Sequence, residues 1–509
     1  MRLRLIVLFV CSLALLFVFP SCSCEDPEDN QTTEEDVSHD DIDDQDVDPD
    51  ADDPDADDPD PDADTPDAGD PDDPVSVLPG LDELNDDRLD LLWVLDNAGN
   101  MCRATRAFDE TMEEFLDLLA AVDLDVNVAV TTTQMNDEYS LEPVARPGYL
   151  QSAHQPLSGF DAACSHPLDA EGDPIRSDVS PIRERLQTAV DCTADPSAWA
   201  DLLDVSDHLL RCAVDVNYRT ESCTAEEFQN IDHYFPPLGY CHPFEQECQG
   251  EPGVSCTSDD DCDSVYREIP LVLNTGEFRD GSDDFDRTAF AEEFRCMSQV
   301  GSRGYGFRQG LGAAVEAVSP ELTGGPEAGA GDAPNAGFLR PDARLAVIFL
   351  ASRNDCTHDG TLDETTNCAQ DQCTIQENLG DDGALIAVDT LFHDFLLNFG
   401  RSQGWIPDDT TELSAEWEQA LASTVVPVAF LGDHQIDADL APEDCTVPGL
   451  EEDSCDNEYA LAWSGHRFAQ FAALFPASSP SGDLPDIGGG ICGPPTDVFQ
   501  SFQQVLTEL

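Results

Sequence analysis

The groups in this chain that could do chemistry are 107 carboxylates, 19 cysteines and ten histidines, set against 22 basic residues that are all arginine. Their spacing decides what they can do. No Gly-x-Ser-x-Gly sequence places a serine on the strained strand-to-helix turn that exposes a nucleophile; Trp463-Ser464-Gly465-His466 is the nearest approach. The histidines are scattered, with no His-Glu-x-x-His pair to set two imidazoles on one helical face. His358, beside Asp355 and Cys356, reads as a loop residue rather than a base. A phosphate cradle of the Gly-Lys-Ser/Thr kind requires a lysine, which the chain lacks, and Gly488-Gly489-Gly490 reads as a turn. Carboxylates make up more than a fifth of the residues, so their pairing alone carries no signal. These patterns point to a protein that is not an enzyme.

Setting aside Cys11, Cys22 and Cys24, sixteen cysteines lie between Cys102 and Cys492. An even number in an exported chain implies disulfides, whose connectivity is not readable from spacing. Export is read from the N-terminus. Arg2 and Arg4 precede the 15-residue apolar run Leu5 to Phe19, too short to span a bilayer comfortably. The following Phe19-Pro20-Ser21-Cys22 resembles a bacterial lipobox, which makes residues 1–21 a lipoprotein signal peptide and Cys22 the lipidated residue, with Cys24 or unlipidated secretion as alternatives. Ser23 stands where an Asp would mark inner-membrane retention, so the expected location is the cell envelope, outside the cytoplasm and on the outer membrane.

Residues 22–75 are almost devoid of apolar side chains, and Asp48 to Pro74 approaches a repeat of Asp-Pro-Asp-Ala-Asp. Such a segment cannot bury a core. Proline and charge repulsion extend it at about 3.1 Å per residue, giving a stalk on the order of 150 Å long. The formal charge of −85 makes nucleic acid and anionic membrane surfaces poor partners, leaving the lipid as the contact with the membrane. It fits either a saline habitat, where salt screens the repulsion, or a codon bias toward arginine.

The elements that must position any site begin near Val75. Asp90 to Asp96 (DLLWVLD) has strand length and composition, and Arg103 to Val122 places Phe108, Met112, Phe115 and Leu119 on one helical face. Asp125 to Thr133, Ala343 to Leu350 and Thr424 to Leu431 read as further strands, nearly continuous in apolar character as in a parallel sheet covered on both faces. Pro427 cannot donate to a ladder, which predicts an edge position or a bulge for the last of them. Helical patterns at Gly306 to Val318, Ala384 to Phe399, His466 to Leu474 and Val498 to Leu509 alternate with the strands. The expected class is α/β with a doubly wound, mostly parallel sheet. The pattern is interrupted at about 141–284 by a segment with eight cysteines, read as a disulfide-rich insertion in a domain spanning 76–509.

A strand, then Asp96-Asn-Ala-Gly-Asn100-Met101, then an amphipathic helix is similar to the opening of von Willebrand factor type A domains, which carry Asp-x-Ser-x-Ser there. The resemblance continues through DVNVAVTTT, Gly301-Ser-Arg-Gly-Tyr-Gly-Phe-Arg-Gln-Gly-Leu311 and the Leu345 to Leu350 strand leading to Asn354-Asp355-Cys356. It is closest to cysteine-bearing domains of bacterial surface lipoproteins. The resemblance implies a metal-ion-dependent adhesion site at the carboxyl ends of the strands, where a divalent cation, Mg or Mn rather than Ca, completes its shell with a partner's carboxylate. Here Asp96 matches the leading carboxylate and Ser302 a hydroxyl ligand, Ala98 and Asn100 replace the two serines, and Ser352 aligns with a later Asp for which Asp355 could stand in.

The implied site is therefore degenerate, and Asp96 also reads as a cap for the following helix. The resemblance further places Cys102 and Cys356 on adjacent rim loops as a disulfide, and puts Arg303 and Arg353 on the rim, where a guanidinium would suit an acidic group of a protein ligand. Arg353 would replace the ion. The expected function is protein binding or adhesion at the cell surface, with a structural envelope protein or an unrecognised hydrolase as alternatives.

Overall fold

The computed structural model of the 509-residue chain describes most residues of 84–97, 115–135, 147–151, 206–214, 271–279, 285–300, 308–358, 384–430 and 465–476, with individual positions at 78, 101, 179–192, 222–224, 360–373 and 455–462. The chain divides into two units, Met1–Pro71 and Asp72–Leu509. The segments expected as signal peptide and stalk, Cys22, Cys24, Val498 to Leu509 and most of Arg103 to Val122 lie outside the described residues.

Four of the five strands of the main sheet come from the apolar runs: β1 (Arg88–Leu95), β2 (Asp125–Thr132), β4 (Arg344–Leu350) and β5 (Val425–Phe430). The fifth, β3 (Leu273–Asn274), is a short antiparallel partner of β2, whereas the other pairs are parallel. The strand order is β3-β2-β1-β4-β5. Successive side chains point to opposite faces of a strand, and each face here meets its own core. Leu91, Trp93, Leu95, Ala346, Ile348 and Leu350 face one cluster; Leu92, Val94, Leu345, Val347 and Phe349 face the other. That is the burial expected of a parallel sheet covered on both sides.

The first core is closed by Phe115, Leu119 and helix α2 (Arg287–Ser298), whose Phe294 packs with Trp93, Phe115 and its own neighbour Phe290. The second is closed by α3 (Gly310–Ala317), α5 (Val388–Ser402) and α7 (His466–Ala473). Phe349, Phe392, Phe395, Phe468, Phe471 and Phe475 interlock there, mostly edge to face. The remaining short elements are α1 (Asp207–Val214), α4 (Pro320–Thr323), α6 (Ala415–Ala422) and the hairpin β6 (Cys455–Asp456) with β7 (Leu461–Ala462). Among the described residues no helix is long and apolar enough to cross a membrane.

Pro427 is accommodated without loss of pairing. β5 is an edge strand of the described sheet. Leu345 N donates to Thr424 O and Ala351 N to Phe430 O, so the even-numbered residues of β5 face β4 and Pro427 turns away from the ladder.

Both ends of the segment assigned to the insertion are built into the main body. Leu150 is core, and its N–H donates to Oδ1 of the fully buried Asn335, whose Nδ2 donates to Gly148 O and Ala317 O. At the other end Leu273 pairs with Val128, and Thr275 Oγ1 accepts from Val126 N at 2.9 Å. Cys192 and Cys296 join this segment to α2 by a disulfide inside the first core.

The amino ends of the strands are held by arginine. Asp90, at the start of β1, is buried and accepts from Arg340 N at 2.7 Å and Nε at 2.8 Å. Arg340 Nη2 also donates to Leu89 O and Asp125 O, which ties β1 to β2. Burial raises the Asp90 carboxyl to about 7, with Arg340 opposing.

Candidate functional site

Between β1 and β2 the chain moves to one side of β1, and with β4 it returns on the other. That reversal falls at the carboxyl ends of β1 and β4, the place where open α/β sheets generally take ligands. Asp96 and Asn97 leave β1 there, and residues 351–357 leave β4.

Asp96 is 1 % exposed, and its Oδ2 accepts three bonds: from Arg308 Nε at 2.7 Å, from Ser352 Oγ at 2.7 Å and from Ser352 N at 3.2 Å. Both members of the Asp96–Arg308 pair are buried. A guanidinium thus sits against the carboxylate expected to lead a metal shell. Arg308 lies in the quoted Gly301 to Leu311 motif, but its partner is 212 residues away, so no local spacing marks it. Ser352, expected to align with a ligating Asp, does contact Asp96 directly, as a hydrogen-bond donor.

Asp355, expected to stand in for that ligand, accepts hydrogen bonds from residues at helix ends. Its Oδ1 accepts from Leu311 N and Thr357 Oγ1, its Oδ2 from Thr357 N and Arg467 Nε, and Thr357 Oγ1 accepts from Gly312 N. Leu311 and Gly312 open α3, where backbone N–H groups lack partners within the helix. The residue before α3, Gln309, provides no side-chain cap, so Asp355 and Thr357 do so from a distant loop. The same loop caps α7: Asn354 Oδ1 accepts from Arg467 N at 2.9 Å, and Arg467 Nη2 donates to Ile386 O. A carboxylate near two helix N-termini also gains from their dipoles.

Two sequence expectations are corrected here. Cys356 is bonded to Cys373, not to Cys102, because the chain after β4 brings Cys373 to a Cα–Cα distance of 5.1 Å, and a cysteine forms a single disulfide. Arg353 is not presented on the rim as the replacing cation. Residues 351–357 are buried throughout, Arg353 among them, and Arg308 takes that role at Asp96. Asn100, Ser302, Arg303 and Cys102 lie outside the described residues.

A divalent ion at Asp96 needs oxygen lone pairs directed at it and no competing cation. The described donors fit this poorly: Oδ2 is filled by three donors, Asp355 is spent on α3 and α7, and the Arg308 charge occupies the neighbourhood. The buried carboxylates of the described residues are Asp90, Asp96 and Asp355, each matched by an arginine at 2.7 to 3.3 Å. Guanidinium suits this work, being always charged and weakly hydrated.

Comparison with family models, curated proteins and solved structures returns no match. The von Willebrand type A resemblance therefore rests on the residues quoted above, while the mostly parallel α/β sheet with helices on both faces stands on the structure.

Proposed function

We propose that this chain is a lipid-anchored protein of the cell envelope that presents a von Willebrand type A-like domain for protein binding, and that its rim recognises a partner without a metal ion. The observation that carries the reading is the buried Asp96–Arg308–Ser352 cluster at the reversal of strand order, which supplies from the chain itself the positive charge a cation would bring. The loop carrying Ser352 is fastened to α3, to α7 and to Cys373, a preorganised support of the kind that lowers the ordering cost of binding. Arg303, five positions before Arg308 in the sequence, is the candidate contact for an acidic partner group.

Immobilised mature chain should bind a solubilised envelope protein saturably, with the same affinity in chelator and in magnesium, and Arg303→Glu should weaken it by about tenfold or more. Affinity that requires magnesium would overturn the metal-free rim. Absence of any saturable partner would favour a purely structural envelope role. Cys22→Ser should abolish incorporation of labelled palmitate, unless Cys24 is the acylated residue.

A further inference from the structure

Three disulfides join described cysteines, and they differ in what surrounds the sulfurs. Cys192, Cys296, Cys356 and Cys373 are at most 5 % exposed. In the third, Cys212–Cys223, Cys212 is fully buried on α1, whereas Cys223 is part-exposed. His208 lies one helical turn before Cys212, and its Nε2 is 3.7 Å from Cys212 Sγ. The ligating atoms of His208, Cys212 and Cys223 all lie within 4.8 Å of one another. With the two sulfurs bonded, neither is the thiolate that a metal takes, so the chemistry of the cluster is that of the S–S bond.

The geometry points to Cys212–Cys223 as a thiol-exchange site with a fixed polarity, attacked at Cys223 and released through Cys212 and His208. An external thiolate forms a bond to the Cys223 sulfur, the S–S bond breaks, and its electron pair leaves on Cys212 Sγ. Protonated His208 gives its Nε2 proton to that sulfur. The products are a mixed disulfide on Cys223 and a thiol at Cys212, with no further oxidant or reductant. A leaving thiol that is stabilised departs faster, and access decides which sulfur is attacked. The other charged residues of α1 are Asp207, whose carboxylate is 2.8 Å from Arg183 Nη2, and Arg211. Part-exposure of Cys223 selects a small thiol, and the strongly acidic chain selects a cationic one over an anionic one.

The oxidised full chain would be treated with cysteamine or with glutathione, quenched in acid, alkylated and peptide-mapped. Cys212 should be alkylated first and Cys223 should carry the small thiol, while Cys192–Cys296 and Cys356–Cys373 remain joined. Cysteamine should react about tenfold faster than glutathione at low salt, with the ratio falling as salt screens the charge. His208→Gln, which has no proton to deliver to the leaving sulfur, should slow opening about tenfold and leave the attack directed at Cys223. The opposite polarity in the wild type, or equally fast opening of the two buried bonds, would overturn the assignment whether or not the variant folds.

Discussion

Removing the guanidinium from Arg308 tests the central reading of the rim. Arg308→Met keeps most of the apolar stem and deletes the charge opposite Asp96, whose side chain is fully buried. The carboxylate retains the N–H and hydroxyl of Ser352, but it is left as a buried charge without a counter-charge. Breaking a buried pair in this way costs about 3 to 5 kcal/mol. For a domain of this size, that shifts the urea midpoint down by roughly 1 to 2 M with little change in slope. The double variant Arg308→Met with Asp96→Asn removes the stranded charge while an amide oxygen can still accept from Ser352. It should recover at least about 2 kcal/mol relative to the single variant, a coupling of the size seen between directly paired residues. Equilibrium urea unfolding of the oxidised chain, followed by tryptophan fluorescence, measures both. An Arg308→Met protein within about 1 kcal/mol of wild type, or a double variant as unstable as the single, would refute the claim that the arginine neutralises Asp96.

Asp90 predicts a pH dependence at the other end of the sheet. Its carboxyl is raised by burial to about 7, so the folded chain holds a proton that the unfolded chain releases near 4; the resulting stabilisation is full below about pH 4 and is lost as pH rises through 7. The slope corresponds to a change on the order of 4 kcal/mol and should vanish from urea titrations of Asp90→Asn. Asn335→Ala strands Leu150 N, Gly148 O and Ala317 O in the interior and should cost about 2 to 4 kcal/mol by the same method. Gly148→Ala should be at least as severe: Gly148 has φ 68°, and a Cβ there would lie 2.5 Å from Glu316 Cβ and 2.7 Å from Ala317 N. Replacing both Cys192 and Cys296 by Ser opens a loop of 104 residues and should lower stability by about 4 to 5 kcal/mol.

What the sequence made legible and what it hid follow one physical division. Strands β1, β2, β4 and β5 were readable because burial on both faces demands an unbroken apolar run. Helices α3, α5 and α7 were readable from their apolar faces, although their starts shifted by up to four residues. β3 was not, because two residues carry no period, and its pairing is set by Asn274 and Thr275 reaching across to β2. Asp96 was singled out from its place after a strand, but its partner was not. Arg308 and Ser352 meet it only when residues more than 200 positions apart converge. The capping bonds of Asp355 were hidden for a related reason, since a carboxylate that caps a helix from another loop has no capping motif around it. The Cys102–Cys356 expectation leaned on adjacency of two loops, and Cys373, 17 residues from Cys356, took the bond instead.

The placement of β1 has a mechanical consequence. A pull between the residues that lead into β1 and the loop after β4 that carries Ser352 runs along the strand axis. β1 is central, in register with β2 over eight residue pairs and with β4 over seven. Load along its axis shears both ladders at once instead of unzipping one bond at a time. A domain wired in this way should yield at high force when pulled along β1, and at much lower force when pulled across the sheet.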